Sequence, residues 1–310
     1  MEKTASLRRA HPPGALFGTW TAPDGWALRR MDWRQKRGGK ARGSLIFANG
    51  RGDFIEKYLE AYAHWHGRGW NVTAFDWRGQ GGSRGPGHDY ESFDILIDDL
   101  AALLSAWRGE FPGPHVAIGH SMGGHLLLRT LVERKPNLDA AVLVAPMIGV
   151  NSAPTPAWLA PTVANAMCRL GLGQAPMWKT PPTMRLPGGQ RQRNLTGSRA
   201  RYEDEAWWWE REPDWNLGAP SWAWMRAAFR SAAASFTAGR LAEVKMPVLL
   251  LAAGHDRLVS TMEIGRAARE LPCAELEVFP DAAHEILREA DPVRLAAFGR
   301  IDAFLDARAP

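Results

Sequence analysis

The segment around Ser121 has the residue types of a nucleophilic serine site. An apolar run, His115–Gly119, precedes it, and an apolar run with helical spacing, Met122–Arg134, follows it; the motif itself reads Gly119-His120-Ser121-Met122-Gly123. A serine at a tight strand-to-helix turn has a strained backbone, and glycines at the flanking second positions remove collisions with neighbouring backbone. The following helix directs its amide dipoles at an oxygen that becomes negative during acyl transfer. The pattern predicts Ser121 as a nucleophile, with a chance glycine-rich turn as the alternative.

A serine nucleophile needs a general base, and the base needs an orienting carboxylate. After a serine turn of this kind, the acid and then the histidine follow in loops at the ends of later strands. Asp256 directly follows the apolar run Met246–Ala252 and its exit, and His284 follows the run Ala274–Val278 and a short turn. We therefore expect Asp256 to be the acid and His284 the base. The alternatives are a helix N-cap for Asp256 and a capping or surface role for His284, while Asp281 is expected to shape the turn.

Acyl transfer also needs two amide donors for the developing oxyanion. The run Leu45–Ala48 is a short strand that ends in the Gly-flanked turn Asn49-Gly50-Arg51-Gly52. We expect the backbone N–H groups of Arg51 and Met122 to be the donors. The alternative for this turn is simple strand termination.

Strands and helices that alternate along the chain must position these residues. Such alternation predicts an α/β fold with a mostly parallel central sheet and helices on both faces. The two strands Ala27–Trp33 and Ser44–Ala48 flank a basic turn, and the first sixteen residues are expected to be a loose leader. The other predicted elements are helices over 54–68, 90–111, 122–134 and 292–307 and strands over 70–76, 115–119, 140–144, 246–252 and 274–278.

The alternation stops at Ala145 and resumes near Arg240. The segment between is rich in Pro, Arg and Trp and contains eight of the fifteen tryptophans. We expect a mainly helical cap, suited to cover an acyl chain and exclude water; its tryptophans have the alternative role of forming the core of the cap. The predicted divisions are residues 1–150 for the first part of the core, 151–240 for the cap and 241–310 for the second part.

Composition excludes several classes of protein. The chain has 310 residues, of which 45% are apolar and 23% charged, as in a folded globular protein. No apolar run reaches the roughly 18–20 residues of a membrane-spanning helix, and no apolar stretch follows the basic N-terminus, so we expect a cytoplasmic protein. The spacing of Cys168 and Cys273 suits neither a disulfide framework nor a metal site. Without a metal-binding, Walker or dinucleotide motif, we expect neither metal nor cofactor.

The formal charge of +5 is concentrated in segments. Seven basic residues lie between Arg29 and Arg42 against Asp32 alone, and six lie between Lys179 and Arg201 with no acid. Outside Arg29–Arg42 the chain sums to a net charge of about −1, so the basicity is local, which argues against nucleic-acid binding by the whole domain. These segments suit peripheral association with an anionic membrane, at its inner face; the alternative is that both are solvated loops.

Six short segments together resemble the α/β-hydrolase fold, and more narrowly its lysophospholipase L2 and monoacylglycerol lipase branch. The resemblance covers about residues 17–150 and 240–308, and within the insertion only 194–229. It implies Ser121, Asp256 and His284 as nucleophile, acid and base, oxyanion donors at Arg51 and Met122, and a helical cap. The segments are Asn49-Gly50-Arg51, Glu56-Lys57-Tyr58, Asp76-Trp77-Arg78-Gly79-Gln80-Gly81, Gly119-His120-Ser121-Met122-Gly123-Gly124, Gly254-His255-Asp256 and Ala283-His284-Glu285.

The sequence therefore predicts a serine hydrolase that cleaves carboxylic esters of single-chain lipids, either lysophospholipids or monoacylglycerols. Many monoacylglycerol lipases have His-Gly where this chain has Asn49-Gly50, which weakens the case for a monoglyceride more than the case for ester chemistry. The alternatives are a short-chain carboxylesterase and a non-catalytic ligand-binding homologue, since fold does not fix function. A complete serine, aspartate and histidine set argues against the last.

Overall fold

The structure is a computed structural model that describes residues 7–36, 40–83, 85, 92–152, 155–179, 186–235 and 239–310. Its centre is an eight-stranded sheet with the strand order β1-β2-β4-β3-β5-β6-β7-β8. The pairs β1–β2 and β2–β4 are antiparallel and all the others are parallel, which confirms the α/β class. The strands are β1 (Leu16–Thr21), β2 (Ala27–Trp33), β3 (Gly43–Ala48), β4 (Trp70–Phe75), β5 (His115–His120), β6 (Ala140–Val144), β7 (Val248–Ala253) and β8 (Ala274–Phe279).

Helices cover both faces of this sheet. Strands β3, β4, β6 and β7 are buried at every residue, as their unbroken apolar runs require in a parallel sheet. In the described part of the chain, none of the helices is long and apolar enough to cross a membrane. The helices are α1 (Leu59–Gly67), α2 (Asp94–Glu110), α3 (Met122–Glu133), α4 (Ala160–Arg169), α5 (Gln190–Leu195), α6 (Arg199–Arg211), α7 (Trp222–Ser235), α8 (Thr261–Glu270) and α9 (Asp291–Arg308).

The segment between β6 and β7 adds helices and loops to the described part of the chain, and none of its described residues belongs to a strand of the sheet. It contributes α4, α5, α6 and α7, and its only extended pairings are the isolated bridges Val150–Val259 and Pro176–Ser221 within the described residues. The chain therefore leaves the sheet after β6 and returns to it at β7, next to the strand it left. The division at residues 150 and 240 stays a prediction.

The N-terminal segment is not a loose leader where the structure describes it. Arg8 and Arg9 both pair with Asp204 on α6, at 2.6 Å for Arg9, and the indole of Trp208 donates to the carbonyl of Arg8 at 3.0 Å. Residues 16–21 form the edge strand β1, whose half-exposed side chains give only a weak apolar signal. Residues 1–6 lie outside the described part of the chain.

Strands β2 and β3, which flank the basic turn in the sequence, are not neighbours in the sheet, because β4 lies between them and pairs with both. Helix α2 begins at Asp94, while Tyr90 lies outside the described residues. Ile95 is 40% exposed, so it is not on the buried face of α2.

Candidate active site

Ser121 lies at a sharp turn between β5 and α3. Its backbone has φ 54° and ψ −117°, a strained conformation for a residue with a side chain. A Cβ on Gly119 would lie 2.7 Å from the carbonyl oxygen of Gly123, and one on Gly123 would collide with the carbonyl oxygens of Ala48 and Asn49. Gly119 therefore allows the end of β5 to pack against the start of α3, and Gly123 allows the turn to pack directly against the end of β3.

The structure brings Ser121, His284 and Asp256 into one hydrogen-bonded row. The Nε2 atom of His284 lies 2.8 Å from the Oγ of Ser121, and its Nδ1 lies 2.7 Å from the Oδ2 of Asp256. The side chains of His284 and Asp256 are almost fully buried. The three residues follow β5, β7 and β8, whose carboxyl ends meet at one edge of the sheet. This row can take a proton from a serine hydroxyl and stabilise the resulting imidazolium.

Asp256 is held by its own loop. Its Oδ1 accepts hydrogen bonds from the N–H groups of Leu258 at 2.8 Å and Val259 at 2.9 Å. The N-cap of α8 is Ser260, whose side chain accepts from Glu263, so Asp256 does not cap that helix. Asp281 is exposed at a turn after β8, the position expected of a turn residue.

Electrostatics favour a charged pair between Asp256 and His284. Burial acts to raise the pKa of Asp256, but the attraction of His284 and the Leu258 and Val259 amides hold it below the ordinary value of 3.8. Burial likewise acts to lower the pKa of His284, but Asp256, with a smaller contribution from Glu285, raises it above the ordinary 6.5. Asp256 is therefore an anion that stabilises the protonated form of His284.

The loop after β3 passes close to Ser121. A Cβ on Gly50 would lie 3.2 Å from the Cβ of Ser121 and 2.7 Å from the Oδ2 of Asp53, so a side chain there would displace one of these neighbours. Asn49 anchors the loop, since its side chain donates to the carbonyl of Phe75 at 3.0 Å and its own carbonyl accepts from the Trp77 indole at 2.6 Å. Arg51, one expected oxyanion donor, directly follows Gly50, the residue of this loop that lies close to Ser121. The other, Met122, is the first residue of α3, where backbone N–H groups have no partner within the helix.

The Gly-rich turn after β4 supports the same loop. The side-chain carbonyl of Gln80 accepts the N–H of Gly52 at 2.6 Å, and the buried carboxyl of Asp76 accepts the N–H groups of Ile55 and Gly82 at 2.8 and 2.9 Å. Gly81 has φ +50°, and a Cβ there would lie 2.5 Å from the carboxyl of Asp76. Burial raises the pKa of Asp76 to about 6. This turn is therefore part of the scaffold around the site.

A cavity of about 450 Å³ opens above Ser121 and is roofed by the segment between β6 and β7. Among the tryptophans expected to cover an acyl chain, Trp178, Trp209 and Trp224 line it. Trp208 and Trp215 are instead buried, and Trp158 is 77% exposed. The lining also includes the apolar side chains of Met147, Val150, Met177, Leu195, Leu217, Pro220, Met225, Leu258 and Val259.

Six of the eleven described basic residues in the two segments expected to face a membrane are paired with acids. Arg29 pairs with Glu56 and Asp76, Arg30 with Asp32 and Glu110, and Arg42 with Asp306. In the second segment, Arg191 pairs with Glu205, Arg199 with Glu203, and Arg201 with Glu60 and Asp291. Arg37 and Arg185 lie outside the described residues. Acids that are distant in the chain therefore compensate part of the excess charge counted in these two segments.

Sequence reasoning missed a group of buried charges beside His284. Lys57 is surrounded by Asp53, Glu205 and Glu285, and the sequence pointed to Lys57 only as part of a resemblance. The spacing of Asp53 and Lys57, four residues apart before an apolar helix, is a signal for a local ion pair. His120 turns its ring toward this group, with Nδ1 2.8 Å from the Tyr58 hydroxyl. Among the described residues, no group of His, Cys, Asp and Glu is arranged to hold a metal ion.

Comparison with known proteins gives a consistent set of relatives. Residues 39–291 match the model of a family described as serine aminopeptidase, S33. The chain is 31% identical to lysophospholipase L2 of Escherichia coli strain K12 over 287 residues, covering 84% of this chain and 80% of that one. It is 26% identical to a probable lysophospholipase L2 of Haemophilus influenzae over 276 residues, covering 85% and 84%. A soluble variant of monoglyceride lipase from Saccharomyces cerevisiae, solved with a substrate analogue, superimposes with a TM-score of 0.74 at 19% identity, covering 97% and 98%.

Proposed function

The chain belongs to the serine aminopeptidase S33 family and is an α/β-hydrolase of the lysophospholipase L2 and monoglyceride lipase branch, and from this premise we propose that it cleaves single-chain lipid esters through an acyl-enzyme on Ser121. The chain is an ester hydrolase; the role of each residue and the class of ester are the proposal. The observation that carries it is the hydrogen-bonded row of Ser121, His284 and Asp256 at the floor of a largely apolar cavity.

In the proposed reaction, Ser121 Oγ attacks the ester carbonyl while His284 Nε2 takes the hydroxyl proton. Asp256 stabilises the imidazolium that forms. The oxyanion accepts hydrogen bonds from the N–H groups of Arg51 and Met122, each worth roughly 3–4 kcal/mol in the transition state. The carbon–oxygen bond then breaks, and the alcohol leaves with the proton from His284. Water, deprotonated by the same histidine, attacks the acyl-enzyme, which releases the fatty acid and restores Ser121.

The substrate class follows from the cavity and the relatives. About 450 Å³ is within the range of sites for drug-sized ligands and is larger than a short-chain ester needs. One relative is named lysophospholipase L2, a second probable lysophospholipase L2, and one structural neighbour monoglyceride lipase, and these names denote esters with one acyl chain. We therefore favour a lysophospholipid or monoacylglycerol over the short-chain carboxylesterase alternative.

Peptidase action, which the family description suggests, has less support at this site. An aminopeptidase must bind the α-ammonium group of its substrate, and this requires a carboxylate that is not already paired. The acids lining the described cavity are Asp53, Glu205 and Glu285, and each is in contact with the Lys57 ammonium. The apolar lining and the paired acids together favour an uncharged acyl group.

Peripheral association with an anionic membrane is a further part of the proposal, and the cap supports it. Large apolar side chains are exposed on the described part of the cap, and exposed basic residues adjoin two of them in sequence, Arg169 beside Leu170 and Lys179 beside Trp178. Apolar side chains next to cations suit the interface of an anionic bilayer. The exposed apolar residues are Trp158, Leu170, Leu172, Trp178 and Leu186.

A hydrolysis panel tests the proposed function. Purified protein is assayed on lysophospholipids, monoacylglycerols and nitrophenyl esters of short and long chains, together with the Ser121→Ala variant and labelling by a fluorophosphonate. We expect the highest kcat/KM on a long single-chain ester, with labelling and turnover lost in Ser121→Ala by several orders of magnitude. Turnover that survives in Ser121→Ala would contradict the nucleophile, and a preference for short esters would favour the carboxylesterase.

A further inference from the structure

The side chain of Lys57 is a buried cation at the meeting point of three segments. It extends from the short 3₁₀ turn Ile55–Tyr58, after the loop that carries Arg51, and only 3% of it is exposed. Its Nζ lies 2.5 Å from Asp53, 2.6 Å from Glu285 and 2.9 Å from Glu205. An ammonium group has three donors. The three carboxylates therefore use its full hydrogen-bonding capacity.

Asp53 connects Lys57 to the loop beside Ser121. Its Oδ2 accepts the N–H of Gly50 at 3.0 Å and the hydroxyl of Tyr58 at 3.1 Å. The same oxygen lies 3.3 Å from Nδ1 of His120, the residue before Ser121. A shift of Asp53 would therefore move the backbone that precedes Arg51 and the side chain beside the nucleophile together.

Glu285 connects Lys57 to the loop of the general base. It directly follows His284, and its N–H donates to the carbonyl of Leu195 at 2.7 Å. The Nε2 of His120 lies 3.3 Å from the carbonyl of His284, so His120 spans the distance between the two loops. Lys57 and His120 are thus two links between the same pair of loops.

Glu205 connects this group to the cap. It lies on α6 and also pairs with Arg191 at 2.6 Å, while Glu285 pairs with Arg288. The three carboxylates are balanced by three cations, Lys57, Arg191 and Arg288. Since an uncompensated buried charge is strongly unfavourable, removing any one of these six charged side chains alters the positions or the charges of the remaining ones.

We propose that Lys57 is a positioning residue of the hydrolytic reaction: its ammonium sets the spacing between the loop of Arg51 and the loop of His284, and ties both to cap helix α6 through Glu205. This inference rests on the proposed function. Lys57 touches neither the reacting serine nor the imidazole ring in the contacts described. It acts through Asp53 and Glu285, which hold the backbone on the two sides of the reacting atoms.

The charge of Lys57 gives this role a signature that a structural role alone lacks. Three acids near His284 lie on loops: Asp256 after β7, Asp53 after β3, and Glu285 on the loop of His284 itself. The fourth acid, Glu205, lies on α6. The neighbouring cations are Lys57 and Arg288, and the other neighbouring titratable groups are His120 and Tyr58. Removing the Lys57 cation leaves excess negative charge near the imidazole. Negative charge stabilises the imidazolium, so the acidic limb of the rate profile should move to higher pH.

The experiment compares five variants of the full chain on a soluble nitrophenyl ester, with kcat and KM measured between pH 5 and 9. Lys57→Met removes the cation, Lys57→Arg keeps it, and Lys57→Met with Glu205→Gln removes it while restoring charge balance. Glu205→Gln alone removes one partner. Glu203→Gln is the matched control, two residues away on α6 and in the more exposed pair with Arg199.

We expect Lys57→Met to lower kcat by about 10²-fold with little change in KM. A decrease of this size is expected when reacting groups are displaced by about 1 Å. The same variant should shift the acidic limb of the pH–rate profile to higher pH. Lys57→Arg should recover most of the rate. The double variant should return the acidic limb to its wild-type position while kcat stays low, and Glu205→Gln should move the limb to lower pH. Glu203→Gln should match wild type throughout.

Wild-type kcat and an unmoved acidic limb in Lys57→Met would overturn the inference, as would equal effects of Glu205→Gln and Glu203→Gln. If Lys57→Met does not fold, the double variant and Glu205→Gln carry the test. Failure of the proposed function is distinguishable, because it appears as turnover and fluorophosphonate labelling that survive in Ser121→Ala, whatever the Lys57 variants do.

Discussion

At the scale of single residues, His284 is the group on which the proposed reaction depends. Its Nε2 lies 2.8 Å from the Oγ of Ser121, the position from which it would accept the hydroxyl proton, and its Nδ1 lies 2.7 Å from Asp256. Asp256 is in turn held by two backbone amides, so its carboxylate is fixed before substrate binds. Asp281, only three residues before His284, is exposed at its turn and provides a natural comparison.

The first prediction separates these two acids. Asp256→Asn should reduce kcat about 10⁴-fold, by analogy with the protease triad, because an amide at this position favours the wrong tautomer of His284. Asp281→Asn should change kcat only slightly. Steady-state kinetics of both purified variants check this. The opposite order of effects would assign the orienting role to Asp281.

A second prediction concerns pH. His284 acts as a base only when neutral, and its pKa is raised above 6.5 by Asp256. The kcat/KM profile should therefore rise through an acidic limb above pH 6.5 and then level off. The contribution of His284 to the free energy of unfolding changes with pH in the opposite direction to the rate. It is complete below the unfolded-state pKa of His284 and is lost as pH rises through the raised folded-state pKa. A wild-type limb below pH 6.5 would show that His284 is not the titrating base.

At the scale of elements, helices α3 and α7 join the sheet to the cap through a buried histidine. The Nε2 of His125 on α3 lies 2.6 Å from the hydroxyl of Ser231 on α7, and Arg129 donates to the same hydroxyl at 2.8 Å. Burial, with a smaller contribution from Arg129, lowers the pKa of His125 to about 3. This histidine is therefore neutral in the folded protein across the physiological range.

The third prediction follows from that neutrality. Below pH 6.5 the unfolded chain binds a proton at His125 that the folded chain does not, so the free energy of unfolding should fall as pH decreases. Between pH 7 and pH 5 this group should account for about 2 kcal/mol of the loss. In His125→Asn the measured loss should be smaller by that amount, as followed by urea unfolding at both pH values. His255→Asn, at an exposed position, is the control; an unchanged pH dependence in His125→Asn would refute the assignment.

At the scale of the whole molecule, the connection between β2 and β3, which carries Lys36 and Lys40, and the cap lie at different ends of the sheet. Trp33 at the end of β2 pairs with Val72 near the start of β4, and Gly43 at the start of β3 pairs with Trp70. The connection between them therefore lies at the edge opposite the carboxyl ends of the parallel strands, where Ser121 is found. The cap lies on the Ser121 side, since it roofs the cavity. We therefore expect that a flat bilayer in contact with the cap would not reach the connection between β2 and β3.

The fourth prediction assigns membrane contact to the cap alone. Trp158→Ser with Leu170→Ser should weaken sedimentation with anionic vesicles, because both side chains are more than two-thirds exposed on the cap. Hydrolysis of a soluble ester should be unchanged, as neither residue lines the cavity. Met262→Ser, on α8 and 74% exposed, is the matched control. Lys36→Gln with Lys40→Gln should also leave vesicle binding unchanged.

Salt provides the second measurement for this prediction. Each cap cation near the surface should contribute about 1 kcal/mol, an attraction that falls off within a Debye length. Vesicle binding should therefore weaken as salt rises to physiological levels. Absence of binding at low salt, or binding that depends on Lys36 and Lys40, would contradict the proposed orientation.

The sequence by itself determined what depends on local patterns. The alternation of apolar runs specifies the α/β class and the places of seven of the eight strands, because buried parallel strands are continuously apolar. The motif around Ser121 and the positions of Asp256 and His284 directly after strands single out three residues that the structure places in one hydrogen-bonded row. Chain order and strand ends are enough for this, since the carboxyl ends of parallel strands converge at one edge.

Only the tertiary structure decided which distant residues meet. Strand β1 was not predicted because its residues are half-exposed, and the position of β4 between β2 and β3 is not visible in the sequence because β4 comes after both in the chain. The partners of Lys57 come from three separate segments, and the basic runs are paired with acids such as Glu110 and Asp306 that no spacing rule connects to them. The sequence shows how many charged residues a segment contains, whereas the electrostatic field at a site depends on which opposite charges the fold brings within a few ångströms.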